Sequence, residues 1–360
     1  MKTVRRFSWS KFLLFLITLI ILLLIGLFGI YKFELSAPGK SKKPVVITIK
    51  KGDNFYNISN KLKKENLIRS ELFYKIYLKL NKPGGIAQGD YELNKTKSVP
   101  EIVKILSDKN NQKIDNVKLT FREGLNIRDI AKIINENANI DENEFISKME
   151  DREYINSLKA DFPFLTDEIT NEQIYYPLEG YLFPDTYIFE RKKISTDAIV
   201  RSMLNTTQKK LETYKERLNT SGYTFHQILT LASLIEQEAV SDEDRALVSG
   251  VFYNRLKANM SLGSDVTTYY AAKKTLKESL TQAELDSCNG YNTRCKTMKT
   301  LPVGPIDNPS MSSINAALNP TPSDYYYFVA DVDRNVYFTK TLNEHNQTVS
   351  KLKKEGKWAA

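Results

Sequence analysis

The sequence predicts an α+β chain carried on a single membrane-spanning helix. Three observations predict it. Residues 12–31 form an uncharged apolar run. A strand, a glycine turn and an amphipathic helix follow it, and that pattern occurs twice. Further on, Ile228, Leu231, Ala232, Ile235 and Ala239 fall on one helical face. With 360 residues, 41% hydrophobic and 26% charged, the composition is that of a globular chain, with room for roughly two domains beyond the anchor.

The apolar run comes first. Its twenty residues, at ~1.5 Å each, match a ~30 Å hydrocarbon core. A cleaved signal peptide has a shorter apolar region, ~7–15 residues, and a small-residue cleavage site. Ser36-Ala37 is a poor one, and no cysteine follows to accept a lipid. The run therefore reads as an uncleaved signal anchor. Lys2, Arg5, Arg6 and Lys11 precede it, and Lys32, Lys40, Lys42 and Lys43 follow it, so basic residues balance. The terminal amino group and Glu34 tilt the choice to a cytoplasmic N-terminus, and large following domains translocate largely regardless of charge. Residues 1–11 then form a cytoplasmic tail, 12–31 the anchor and 32–44 a polar linker. The rest is expected outside the membrane, tethered to it.

The repeat comes next. VITIKKGDNFYNISNKLKKENLI from Val46 aligns with KLTFREGLNIRDIAKIINENANI from Lys118. Thr48 meets Thr120, Gly52 meets Gly124, Asn54 meets Asn126, Ile58 meets Ile130 and Ile68 meets Ile140. Glycine suits a left-handed turn between strand and helix. Residues 88–110 add a strand and a helix capped at Ser98, with Glu101 completing a capping box. Pro100 falls in the first turn, where its missing N–H does no harm. The first subdomain is expected over 45–112 and a second over 113–350, leaving 351–360 as a polar tail.

Chemistry is sparse outside one helix. Net charge is +9, which makes anionic surfaces plausible partners without implying nucleic acid. Two histidines and two cysteines are too few for a zinc cage, and no P-loop or dinucleotide fingerprint appears. No metal or cofactor is expected. Cys288 and Cys295 stand as free thiols or as a small disulfide loop; spacing leaves both open. In LTLASLIEQEA, Glu236 and Glu238 sit on the two shoulders of the apolar face. A carboxyl half-wrapped in aliphatic groups has its charged form disfavoured and can act as a general acid. The plainer reading is two solvated boundary glutamates. Periodicity does not choose between them.

Several segments together resemble one family. YPLEGYLFPDTY (residues 176–187) resembles the Leu-Glu-Gly-x-Leu-x-Pro-x-Thr-Tyr signature of the endolytic murein transglycosylases, the YceG-like family. TLASLIEQEA resembles that family's catalytic helix. RALVSGVFYNRLKANMSLGSDVTTYYA (245–271) resembles its Asn-Arg-Leu helix and Ser-Asp turn. Residues 291–320 resemble its Tyr-Asn-Thr and Leu-Pro-x-Gly-Pro-Ile-x-Asn-Pro blocks, and 324–346 its C-terminal strands. The first repeat copy also resembles a LysM module, which binds N-acetylglucosamine glycans. The second lacks the Asp after its glycine; Leu125 stands there. The departures are Gly263 for Gln, Val266 for Pro, Val303 for Pro, Ser310 for Gly, and RNVYF (334–338) for a histidine-bearing strand.

The resemblance implies a LysM-like β-α subdomain followed by a mixed α/β lytic transglycosylase domain. It implies non-hydrolytic cleavage of the β-1,4 bond between N-acetylmuramic acid and N-acetylglucosamine in nascent peptidoglycan. Glu236 takes the catalytic position. It would protonate the glycosidic oxygen and then take the proton of the muramoyl 6-hydroxyl, which closes a 1,6-anhydro ring. One carboxyl suffices because the nucleophile is part of the substrate. Glu238, Ser264, Asp265, Asn292, Glu179 and Asn308 are candidate substrate-binding helpers, and Tyr181 and Tyr187 candidate sugar-stacking residues. Plainer readings make Asp265 a helix cap and Glu179-Gly180 a tight turn. Expected partners are glycan strands, the cytoplasmic membrane, and penicillin-binding proteins of the elongation or division machinery. Two alternatives stand: a membrane-tethered glycan-binding scaffold, and a two-carboxylate muramidase. The second is disfavoured for Glu236 with Glu238, since helical residues two apart diverge by ~200°.

Overall fold

The computed structural model describes residues 9–113 and 115–358. It divides into two compact units, Met1–Asp115 and Asn116–Ala360. The expected cytoplasmic tail falls largely on residues 1–8, outside the described residues.

The first unit contains α1 (Trp9–Leu35), β1 (Val45–Ile49), α2 (Ser59–Lys64), α3 (Glu71–Asn81), β2 (Gly89–Leu93) and α4 (Val99–Ser107). Helix α1 is long and apolar enough to cross a membrane, and it runs four residues past the expected end of the anchor. Its last turn packs on the unit itself. Leu35 is buried, Tyr31 lies against Phe73, and the Arg69 guanidinium lies 4.5 Å over the Phe33 ring. The segment that follows is docked rather than free. Arg69 donates to the Ala37 carbonyl at 2.8 Å, and the Gly39 N–H donates to that of Lys95. Strands β1 and β2 pair antiparallel, Ile47 opposite Tyr91. Their inward side chains meet Leu62, Tyr74, Leu78 and Ile102 in one core. Glu101 accepts from the Ser98 N–H and hydroxyl at the start of α4.

The second unit begins with β3 (Asn116–Thr120), α5 (Ile127–Ala138), α6 (Glu142–Glu150) and α7 (Arg152–Leu158). Next come β4 (Thr186–Glu190), α8 (Thr196–Leu211), α9 (Lys215–Thr220), α10 (Phe225–Glu238) and α11 (Asp242–Lys257). The chain closes with α12 (Asp265–Ala271), α13 (Gln282–Asp286), α14 (Met311–Leu318), β5 (Tyr327–Ala330), β6 (Val336–Thr339) and α15 (Leu342–Lys354). Strand β3 pairs antiparallel with β4, and β5 with β6. Both repeat glycines hold positive φ, 92° at Gly52 and 73° at Gly124.

Helix α10 is the centre of this unit. Thr224 and Gln227 form a capping box at its start, and α11, α12 and α14 pack around it. The apolar face is buried as its spacing predicts. So are Leu229, Thr230, Ser233 and Leu234, so the helix is enclosed on every side from Ile228 to Ile235. An all-round core helix reads as amphipathic only where its neighbours supply small or hydroxyl side chains.

One expectation changes, and one open choice closes. Residues 351–358 are not a loose tail. Helix α15 continues to Lys354, Leu352 is buried, and Asp331 forms a β-bridge with Trp358. One buried leucine among lysines gives no apolar signal. Cys288 and Cys295 are disulfide-bonded, with Cα atoms 5.2 Å apart.

Gly180 is a tight joint in the unit. Its φ is +82°, and a Cβ there would lie 2.5 Å from Pro305. Gly180→Ala should destabilise the unit by about 2–4 kcal/mol, combining a left-handed residue with an overpacked core. Urea unfolding checks this; an unchanged midpoint would contradict the packing described.

Candidate active site

The C-terminal end of α10 emerges from the core at Glu236, Gln237 and Glu238, all half-buried. Each is taken up by a different part of the unit. Glu236 is clamped between two helices. Its Oε2 accepts the Ser310 N–H at 2.8 Å and the Ser310 hydroxyl at 2.5 Å. Its Oε1 accepts from Arg245 Nη2 at 3.2 Å. The Glu236 side chain is 8% exposed and that of Arg245 14%. Arg245 lies in the first turns of α11, and Ser310 is the N-cap of α14, where its Oγ also accepts the Ser313 N–H. The surroundings of Glu236 are therefore polar and charged, not the aliphatic wrap expected.

That wrap belongs to Glu238. Burial pushes its carboxyl up to about 7, with the Ser264 hydroxyl opposing the shift and Asp265 adding to it. Ser264 donates to Glu238 Oε1 at 2.6 Å. The two shoulders that periodicity left equal are thus distinct in the fold.

Gln237 points into a third region. It donates to the Gly124 carbonyl at 3.0 Å and to Asp307 Oδ2 at 2.6 Å. Asp307 is buried, burial pushes its carboxyl well up, and its Oδ1 has no hydrogen-bond partner among the described residues. Beside it, Asn308 joins two distant segments. Its Oδ1 accepts the Leu182 N–H at 2.9 Å, and its Nδ2 donates to the Leu125 carbonyl and to Glu179. Glu179 also receives the Ile127 N–H and the Tyr270 hydroxyl. Burial pushes the Glu179 carboxyl up to about 8.

The remaining candidates sort by exposure. Ser264, not Asp265, occupies the cap position of α12; Asp265 is its first helical residue and pairs with Arg294. Asn292 is fully buried. Its amide donates to three backbone carbonyls and its Oδ1 accepts from Thr268 and the Arg294 N–H, which leaves no group for a sugar. Tyr181 is wholly buried against Phe164, with its hydroxyl on His226. Tyr187 is 8% exposed, with its hydroxyl on the Phe183 carbonyl. Stacking on a sugar needs an open ring face, and neither tyrosine has one. Glu179 and Asn308 are likewise interior. They build the floor of the site rather than its surface.

Arg245, Ser310, Asp307 and Gln237 carry the site's polar contacts, and sequence reasoning assigned none of them a role. Ser310 had left a trace, as a serine where the family pattern has glycine. Arg245 had left none, because it reaches Glu236 across the turn between two helices.

Glu179 and Glu238 ordinarily ionise near 4.5. The native state therefore holds protons that the unfolded chain has released. Their contribution to stability is complete below that value and is lost as pH rises through about 7 and then about 8. The unfolding midpoint should fall between about pH 5 and about pH 8.5, and Glu179→Gln should flatten that fall. Parallel pH–stability curves for wild type and variant would contradict the assignment.

Comparison with known proteins places this geometry. A model of the YceG-like family matches residues 47–351. The chain is 39% identical over 313 residues to the endolytic murein transglycosylase of Bacillus subtilis, covering 86% of this chain and 85% of that one. It is 31% identical over 334 residues to the endolytic murein transglycosylase of Streptococcus pneumoniae strain D39. That match covers 88% of this chain and 60% of the pneumococcal protein. The crystal structure of a YceG-like protein from Listeria monocytogenes superposes with a TM-score of 0.61 at 33% identity, over 86% of this chain and all of that one. The chain belongs to the YceG-like family.

Proposed function

We propose that this protein is a membrane-anchored endolytic lytic transglycosylase of peptidoglycan, with Glu236 as its catalytic acid and base. The observation that carries the reading is the asymmetric clamp on Glu236. Two Ser310 donors hold Oε2, while among the described residues Oε1 is shared only with Arg245, at 3.2 Å. Oε1 is the atom free to exchange a proton with a bound strand.

The proposed reaction needs only that atom. The Glu236 carboxyl gives its proton to the oxygen between N-acetylmuramic acid and N-acetylglucosamine, and the bond from that oxygen to the anomeric carbon breaks. The muramoyl 6-hydroxyl oxygen bonds to the anomeric carbon, and its proton returns to Glu236. The products are a free N-acetylglucosamine 4-hydroxyl and a 1,6-anhydro end, and no water is consumed. Arg245 and Ser310 keep the carboxyl in one place through both transfers, so no reorganisation accompanies the chemistry. Glu238 is directed to Ser264 and serves as support rather than as a second reacting carboxyl.

The membrane assignment rests on α1, with the N-terminus cytoplasmic and the chain beyond α1 outside. Because the segment after α1 is docked on the first unit, that unit lies close to the bilayer surface. Its strand-helix-helix-strand order fits a LysM-like glycan-binding role. Nascent strands near the membrane are the substrate, and the partnership with penicillin-binding proteins rests on the family resemblance alone.

Glu236→Gln should lower strand cleavage by about 10²–10⁴-fold, the range of a lost general acid–base. Mass spectrometry of muropeptides released from intact sacculi reads it, with anhydro-muramoyl ends in the wild-type digest. Full cell-wall function with Glu236→Gln would favour a glycan-binding scaffold instead. Ser310→Gly keeps the backbone donor and removes the hydroxyl. It should reduce kcat by about tenfold with KM little changed, as expected for a group that positions the acid. A change confined to KM would contradict that role.

A further inference from the structure

A cleft of about 470 Å³ opens beside the end of α10. Gly124 and Gln237 line it on one side, and the α12 C-terminus with the following loop lines it on the other. Glu236 lies just behind Gly124, one of the lining residues. A Cβ added to Gly124 would lie 3.0 Å from Gln237 Nε2 and 3.4 Å from Glu236 Cγ. A side chain there would crowd both residues.

The cleft is cationic in a particular way. Five of its lining residues are Arg128, Lys132, Lys273, Lys274 and Lys277, against one acid, Asp129. Lys132 pairs with Asp129 at 3.8 Å and Lys274 with Glu284 at 2.7 Å. Arg128, Lys273 and Lys277 have no carboxylate within ion-pair distance among the described residues. Two of them are held by other means. Arg128 Nη1 donates to the Lys273 carbonyl at 2.6 Å, and its guanidinium lies 5.9 Å over the Tyr270 ring. Lys273 Nζ lies 5.0 Å over the Tyr175 ring. Aromatic faces and a carbonyl orient these charges, and the Glu278 carboxylate on the same loop offsets part of the Arg128 charge at longer range. Lys273 also stands at a φ of +55° just after α12, a position that usually takes glycine.

We infer that this cleft binds a carboxylate of the stem peptide carried by a muramoyl residue of the strand. The inference rests on the glycan reading of Glu236. In a peptide-bearing strand the muramoyl lactyl carboxyl is tied up in its amide bond to the peptide, so the anionic groups that reach a cavity next to the scissile bond belong to the peptides. A bounded cavity also suits a short branch better than a long polyanion, which would need an extended basic track. The cleft would make the enzyme prefer peptide-bearing strands over naked glycan.

The test is equilibrium binding to the detergent-solubilised full-length chain carrying Glu236→Gln. The probes are a peptidoglycan tetrasaccharide with its peptides and the same glycan after amidase removal, with the lactyl carboxylates that removal exposes converted to methylamides. The peptide-bearing glycan should bind about fivefold tighter, the size of two partly exposed ion pairs. Lys273 and Lys277 are exposed, so replacing them leaves the core intact. Lys273→Gln with Lys277→Gln should bring the two affinities together, and Lys273→Arg with Lys277→Arg should keep them apart. Equal affinities without the lysine substitutions, or a preference that survives Lys→Gln, would overturn the inference. So would poly(glycerol phosphate) displacing the peptide-bearing glycan through the same lysines at lower concentration than the stem peptide itself. Failure to bind either glycan would overturn the glycan reading, and this inference with it.

Discussion

The Glu236–Ser310 contact is the joint on which the rest of the site depends. Ser310 starts α14 by accepting the Ser313 N–H, and in the same position it gives two hydrogen bonds to Glu236. The residue that caps one helix thus fixes the carboxyl at the end of another. Arg245 adds the third helix, α11, through Oε1. Since α10 is enclosed on every side, its register cannot shift without disrupting the core. The position of one carboxyl is therefore set by the packing of the whole unit. Removing either donor would leave a nearly buried acid short of a partner, which is costly in a low-dielectric setting.

Behind that joint lies a layer of buried polar groups. Glu179, Asp307 and Asn308 are each about 1% exposed, and all hydrogen-bond to other segments of the unit. Asn308 ties the turn after β3 to the segment before β4. Gly180 meets Pro305 in the same region. Motif blocks more than a hundred residues apart in the chain meet here. Their polar residues read as substrate contacts in one dimension and are structural in three. The raised carboxyls of Glu179 and Asp307 follow from burial, so they report the dryness of the layer rather than catalysis.

What the sequence made legible was whatever depends on neighbours along the chain. The apolar run, the two glycine turns, the capping box at Ser98 and the buried face of α10 all follow from local spacing. The roles of Tyr181, Tyr187 and Asn292 did not, because burial is decided by segments far away. Glu236 and Glu238 were equal by periodicity and separated only by what packs on each shoulder, Ser310 and Arg245 on one, Ser264 on the other. The family resemblance singled out Glu236 before any contact was visible. The tail beyond residue 350 misled because one buried leucine among lysines, and a single bridge from Trp358 to Asp331, leave no apolar pattern along the chain.

The central claim is that one clamped carboxyl moves a proton twice and that water takes no part. Digestion of purified glycan strands in ¹⁸O-labelled water tests it most directly. The account predicts 1,6-anhydro ends with no label at the anomeric carbon. Labelled reducing ends would contradict it, since they require a water activated by a second group, and Glu238 or Asp265 would then have to act as a base.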